Sequence, residues 1–342
     1  MLTPSSPHAV GTQSVQQVML TVWAATLPGF AALIWFFGWG YLINAALAVG
    51  TALIAEALIL RLRRRPVLFF LSDGSALLSA WLLALALPPL APWWIPVIGS
   101  LAAIVFAKHL YGGLGNNPFN PAMVGYAVLL ISFPVEMTTR WGMPAALASE
   151  AHSLLDSARV VFAGLRVDPA AVDAMTMATP LDHYKNEVLR ATGTEIRQDP
   201  LFSAGWRVYG WEWVSLLYLL GGLFLLWRRL ITWHIPVAVL GSLSLLALTF
   251  SWNPDLRVPL DLHLLGGATM LGAFFIATDP VSAATSNRGK LVFGAGIGIL
   301  IYVIRTWGNY PDAVAFAVLL MNFAAPLIDY YTRPRVYGEG RT

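Results

Sequence analysis

PAMVGYAVLLISF, residues 121–133, and PDAVAFAVLLMNF, residues 311–323, align without a gap and are identical at seven of thirteen positions. The shared leading proline and the run AVLL argue against chance likeness between two apolar helices. Each segment follows a polar, Gly/Asn/Pro-containing stretch: GGLGNNPFNP (Gly112 to Pro121) and TWGNYPD (Thr306 to Asp312). The chain thus carries an internal repeat. Its unit holds five apolar runs, and an odd number makes the two halves run in opposite directions through a bilayer. Inverted repeats of this kind build sites from interrupted segments near the membrane midplane.

Working outward, apolar runs recur along all 342 residues, of which 57% are hydrophobic and 11% charged. A soluble domain is about 25% charged, and about 20 apolar residues span a bilayer. Ten spans are expected at roughly 18–39, 41–61, 70–88, 93–111, 119–135, 212–228, 232–251, 262–279, 291–306 and 311–330. The expected fold is therefore an all-α polytopic membrane protein with about ten transmembrane helices in two inverted five-helix repeats. Residues 1–135 form the first repeat, 136–211 a polar loop, and 212–342 the second repeat with a tail. The N-terminal stretch lacks the charged start and cleavage site of a signal peptide. The sequence contains no cysteine, which excludes disulfides, thiolate zinc sites and iron–sulfur clusters held by this chain. A net charge of +3, distributed in short clusters between apolar runs, reads as a topology signal and not as a nucleic-acid surface.

Twelve of the 21 Lys and Arg residues fall on one side of ten spans: Arg61, Arg63, Arg64, Arg65, Lys108, Arg228, Arg229, Arg288, Lys290, Arg333, Arg335 and Arg341. The positive-inside rule makes that side cytoplasmic, with both termini. The 136–211 loop then lies outside, which in a bacterial inner membrane is the periplasmic face. Loops this long are usually functional, and Phe162, Leu165, Trp206 and Tyr209 suggest a partly folded lid.

Further interruptions occur at Asp73-Gly74 and Gly266-Gly267. Irregular backbone at membrane depth survives only where protein buries it or it lines a cavity. Glu56, inside the second span, is an ion-path candidate because an intramembrane carboxylate is functional by default; the alternative is a pair with Arg61 or another neighbour. Asp279, before Pro280, reads as a helix-end residue. His109 and His263 lack companions at metal-ligand spacing, so no metal site is expected. The Trp residues that flank spans, such as Trp93, Trp94 and Trp252, read as an interface belt.

Within the long loop, Asp173-Ala-Met-Thr176-Met-Ala178-Thr179-Pro180 resembles the recognition sequence for covalent flavin attachment, in which a transferase moves FMN onto the last Thr as a phosphoester. Thr179 supplies the hydroxyl, Ala178 a small neighbour, and Pro180 biases Thr179 to extended backbone. Asp173 and Thr176 hold the remaining motif positions, and Met177 stands where the pattern often has Gly. An unaided Thr hydroxyl is a weak nucleophile, so attachment by a separate flavin transferase is expected.

SDGSALLSAWLLALALPP (Ser72 to Pro89), KHLYGGLGNNPFNPAM (Lys108 to Met123), MATPLD (Met177 to Asp182) and FFIATDPVSAATSNRGK (Phe274 to Lys290) together resemble the D subunits of the Rnf complex, a ferredoxin:NAD oxidoreductase. They also resemble the related B subunits of the sodium-translocating NADH:quinone reductase. The resemblance covers nearly the whole chain. It implies covalent FMN on Thr179 at the periplasmic face and a second, non-covalent riboflavin in the membrane. It also implies partner subunits that carry another covalent flavin and iron–sulfur clusters, with electron flow coupled to ion movement. Asn117 and Asn120, in the break before span five, have amides suited to an isoalloxazine edge; the alternative is that they cap helix ends. A small-solute channel without a redox cofactor also suits an inverted repeat, but it has no use for the Asp173–Thr179 motif.

Overall fold

The computed structural model describes residues 14–145, 147, 153–163, 175–203, 210–308, 310 and 313–332. Among these residues the regular structure is all helical, joined by turns and loops, with one isolated β-bridge, Gly142 to Thr176. Helix α1 (Val15–Phe37) starts with a capping box between Ser14 and Gln17, which satisfies two otherwise orphaned backbone donors. It is followed by α2 (Gly40–Leu62), α3 (Ser75–Ala86), α4 (Trp94–His109) and α5 (Pro121–Ser132). The loop contributes α6 (Pro180–Glu187). The second half holds α7 (Trp211–Trp227), α8 (His234–Phe250), α9 (Thr269–Leu271, running into a π-helix over Gly272–Ile276), α10 (Asn287–Trp307) and α11 (Val314–Thr332). Four of these, α1, α2, α10 and α11, are each long and apolar enough to cross a membrane. The apolar helices α3, α4, α5, α7 and α8 are shorter. A multi-pass membrane protein follows from this composition and length.

The short helices differ from the expected spans for visible reasons. The run expected at 70–88 splits into Val67–Leu71 and α3. Asp73 accepts the Ser75 N–H at 2.7 Å and Gly74 adopts φ +78°, a left-handed conformation that glycine takes without steric cost. Twelve residues of α3 rise only about 18 Å, well under a bilayer core of about 30 Å. The run expected at 262–279 is likewise discontinuous: Leu260–Leu265 ends at Gly266, and the chain resumes at α9. The run at 119–135 ends its helix at Ser132, and Pro134 opens a separate turn, Pro134–Thr139.

Small residues set the closest helix contacts. A Cβ on Gly221 would stand 2.2 Å from the Ala25 carbonyl oxygen, so α7 lies directly on α1. A Cβ on Gly298 would stand 2.4 Å from the Val239 carbonyl oxygen, which brings α10 onto α8. Such close approach is the usual basis of helix association in lipid. Elsewhere α2 packs on α3 and α4, and α5 packs on α11.

The long loop docks onto the helices. Leu181, Tyr184, Ile196, Val258 and Leu262 form a small buried cluster that joins α6 to the chain before α9. Of the residues read as lid-forming, only Phe162 is described. It is exposed, and Leu165, Trp206 and Tyr209 lie outside the described residues. The docking side chains are those on the apolar face of a short amphipathic helix, a periodicity too brief to stand out in the sequence.

Candidate functional site

Thr179 is the N-cap of α6: its hydroxyl oxygen accepts the Asp182 N–H at 3.3 Å, and Pro180 takes the first helical position. Proline suits that position because its missing N–H would be unpaired there anyway. The preceding segment is held extended. Met143 N–H donates to the Met175 carbonyl and Met177 N–H to the Trp141 carbonyl, both at 2.9 Å, around the Gly142–Thr176 bridge. Gly142 itself lies against the Phe37 carbonyl at the end of α1. These contacts fix the motif to the bundle. Thr176, Ala178 and Thr179 are half-buried, and Asp173 lies outside the described residues.

Thr179 opens onto a cavity lined by Tyr126, Trp141, Trp211, Tyr218, Gly267 and Ala268. Aromatic faces around a narrow slot suit a planar ring system. The Tyr218 hydroxyl is buried without a hydrogen-bond partner among the described residues, and such a group is costly unless a ligand satisfies it. At the other end, the N-terminus of α6 carries partial positive charge, which favours a phosphate. The lining is chemically suited to a phosphate-linked isoalloxazine, but the cavity holds only about 50 Å³, far below the roughly 300 Å³ at which ligand pockets begin, so the ring enters only if the walls move apart. Burial pushes the Asp182 carboxyl above its ordinary range, while Lys185, His183 and Asn186 pull it the other way. Lys185 donates to the Gly308 and Tyr310 carbonyls, tying α6 to the end of α10.

The break at Gly266–Ala268 is braced by Arg305. This buried guanidinium donates to the His263 carbonyl at 2.7 Å and to the Thr269 hydroxyl at 2.9 Å. The sequence gives no hint of that role, because Arg305 there reads as one more charge near a helix end.

Asn117 and Asn120 are both buried and line a second cavity with Ser75, Lys108, Phe275 and Asp279. Their roles differ. The Asn120 side chain caps α5 through Met123 N–H and donates to the Ile276 carbonyl, both at 3.3 Å. Its own N–H donates to Asn322 Oδ1 at 3.1 Å. Asn117 Nδ2 donates to the Phe119 carbonyl at 3.0 Å, whereas its Oδ1 is buried without a partner among the described residues. Asn117 thus offers a free acceptor and Asn120 does not. This cavity holds about 80 Å³, well below the roughly 300 Å³ at which ligand pockets begin. A flavin ring would need Leu114, Leu230 or Phe275 to move.

Glu56 is buried on α2 and pairs with α4. Lys108 Nζ lies 2.6 Å from its Oε1 and His109 Nε2 lies 3.3 Å from the same atom. Arg61 is not the partner. Lys108 also donates to the Ser75 hydroxyl at 2.7 Å, and that hydroxyl donates to Asp73. Lys108 and His109 end the π-helical turn Ala102–His109; turns of this kind recur at functional sites. Lys108 reads in the sequence as a topology charge, yet it closes the apolar run AAIVFAKH. That position inside a span was the available signal. A third cavity of about 480 Å³ lies beside the group, lined by Glu56, Arg63, Asp73, His109 and Asn116.

A helical membrane protein with interrupted spans and an aromatic pocket beneath a long loop is the class this architecture defines. Residues 2–338 match the NQR2, RnfD, RnfE family, and the chain belongs to that family. It is 55% identical over 339 residues to the D subunit of the ion-translocating oxidoreductase complex of Marinobacter nauticus, covering 99% of this chain and 96% of that protein. It is 54% identical over 346 residues to the protein of the same name from Vibrio atlanticus, covering 98% of each. The corresponding protein of Salmonella paratyphi A is 52% identical over 344 residues, covering 98% of this chain and 97% of that protein.

Proposed function

We propose that this chain is the flavin-carrying D subunit of an ion-translocating oxidoreductase complex of the ferredoxin:NAD type, with covalent FMN on Thr179. The observation that carries the reading is Thr179 at the mouth of an aromatic cavity whose Tyr218 hydroxyl is buried and unpaired among the described residues. When bound, FMN supplies one- and two-electron redox chemistry. The chain's own residues would position it: α6 places its N-terminus against the phosphate, the Trp141 and Trp211 side chains wall the slot, and the 141–143 bridge fixes the attachment segment.

The same reading includes ten spans in two inverted five-helix halves, with 136–211 on the periplasmic side of a bacterial inner membrane and both termini cytoplasmic. The helix pairings support it, since α2 packs on α4 in the first half as α8 packs on α10 in the second. It also includes non-covalent riboflavin near Asn117, with that side chain's unpaired Oδ1 as the supporting observation. Glu56 remains the ion-path residue, and the partners are iron–sulfur subunits, a second covalent-flavin subunit and a maturing flavin transferase.

The test is in-gel flavin fluorescence of the denatured protein after co-expression with a flavin transferase. Wild type should fluoresce, Thr179→Ser should retain signal, and Thr179→Ala should lose it while still inserting. A fluorescent Ala variant would place the attachment elsewhere, and a dark wild type would favour the solute-channel alternative.

A further inference from the structure

Two cavities lie on either side of one buried charge group. Glu56, Asp73 and His109 face the larger cavity, whose rim includes Arg63 and Arg65. Lys108 and Ser75 face the second cavity, and so does Asp279 from the other half of the chain. Lys108 bridges them, since its ammonium touches both Glu56 and Ser75. We propose that Glu56, Lys108 and Asp279 form a proton relay leading from the Arg63-rimmed cavity to the interface between the halves.

Several features favour a relay over a plain structural pair. Glu56 lines the larger cavity, and its Oε2 is buried with no hydrogen-bond partner among the described residues. A purely structural carboxylate in such a site is expected to have both oxygens satisfied. That oxygen is the unpaired acceptor, and a proton reaches it when the carboxylate turns toward the cavity that Glu56 lines. Once Glu56 is neutral, the Lys108 ammonium is left buried without its counter-charge, which is strongly unfavourable. Lysine can release that proton, as arginine cannot. Asp279, facing the same cavity, is held by Ser282 and by the Val281 N–H and presents the accepting carboxylate.

The steps balance within the chain. Glu56 takes a proton from water in the larger cavity. Lys108 gives its proton across the second cavity to Asp279 and becomes a neutral amine. The amine then takes the proton from Glu56, which restores the ion pair. The net result is one proton moved from the larger cavity to Asp279. The other charged or titratable groups facing the site are His109, Arg63, Arg65 and Asp73. His109 contacts the same Glu56 oxygen as Lys108, and the Asp73 carboxylate is engaged by Ser75.

This relay rests on the reading of the chain as part of an ion-translocating electron-transfer complex, and the test separates the two. The whole complex carrying Lys108→Arg, or Glu56→Gln with Lys108→Met, is purified. Turnover is measured per assembled complex, with covalent flavin quantified in parallel. The Arg variant keeps the charge pair but cannot release a proton, and the double variant removes both charges. The relay predicts at least a tenfold fall in turnover for both, with covalent flavin unchanged. A structural pair predicts that the neutral double variant works within about twofold of wild type, because apolar replacement of a buried pair is often tolerated; that result, or an active Arg variant, overturns the relay. Loss of covalent flavin from wild type counts against the proposed function and leaves the relay readout intact.

Discussion

Asn322 accepts the Asn120 backbone N–H through Oδ1 and donates through Nδ2 to the Ser282 carbonyl at 3.0 Å, joining positions 202 residues apart. One buried amide thereby links the break before α5, the segment after α9 and the helix α11. Asn322→Ala would leave a buried N–H and a buried carbonyl unpaired, at about 1–3 kcal/mol each. A fall of several degrees in detergent melting temperature is expected, and an unchanged melting curve would show that water replaces the amide.

Asn117 and Asn120 should separate on mutation. Asn120→Ala removes the cap of α5 and should cost about 1 kcal/mol of stability. Asn117→Ala loses one bond to the Phe119 carbonyl but also removes the unpaired Oδ1, so it should cost no more than Asn120→Ala, and it should lower the non-covalent flavin extracted per protein. Equal flavin content in wild type and Asn117→Ala would make that amide structural.

Gly221→Val should damage packing of α1 on α7, since its first added carbon would fall 2.2 Å from the Ala25 carbonyl. Overpacking of this kind costs about 1–3 kcal/mol. Gly50, where no atom lies within 4 Å of an added Cβ, is the control, and Gly50→Ala should be neutral or slightly stabilising. Melting temperatures of the two variants decide the matter.

Burial raises the Asp182 carboxyl above its ordinary 3.8. A raised acid is destabilising when ionised, so the penalty is present above its folded-state value and disappears as pH falls towards 3.8. Asp182→Asn should melt at or above the wild-type temperature at pH 7 to 8 and lose that advantage near pH 4. An Asn variant that is less stable at neutral pH would show that the attraction of Lys185 outweighs burial.

Topology can be read with fusions. A reporter inserted near residue 150 should be active only on the periplasmic side, and one near Arg341 only in the cytoplasm. The reverse pattern would place Thr179 inside the cell.

The four span-length helices were legible because their apolar runs are long and bounded by Gly, Pro or charge, whereas the remaining runs form shorter or interrupted helices. The interruptions at Asp73-Gly74 and Gly266-Gly267 were legible too, since glycine pairs and an Asp turn carry local chemistry. Lys108 was legible only through its place inside an apolar run and Arg305 was not, because a positive charge near a helix end looks the same whether it faces water or a buried partner. Only the three-dimensional neighbours, Glu56 for one and Thr269 for the other, tell the two cases apart. Asn322 was hidden for a related reason: its partners lie 40 and 202 positions away, beyond any local pattern.

The two backbone hydrogen bonds around the Gly142–Thr176 bridge impose an order of events on the molecule. A modifying enzyme has to seat several residues on either side of Thr179 in its own cleft. That segment is half-buried here and pinned to Trp141 and Met143. If Thr179 carries the proposed flavin, its modification must therefore come before the segment docks, or wait for those bonds to open. On the proposed reading the bridge would act as a checkpoint in biogenesis, and strengthening it, for instance by crosslinking positions 142 and 176 early, should leave an assembled but unmodified chain.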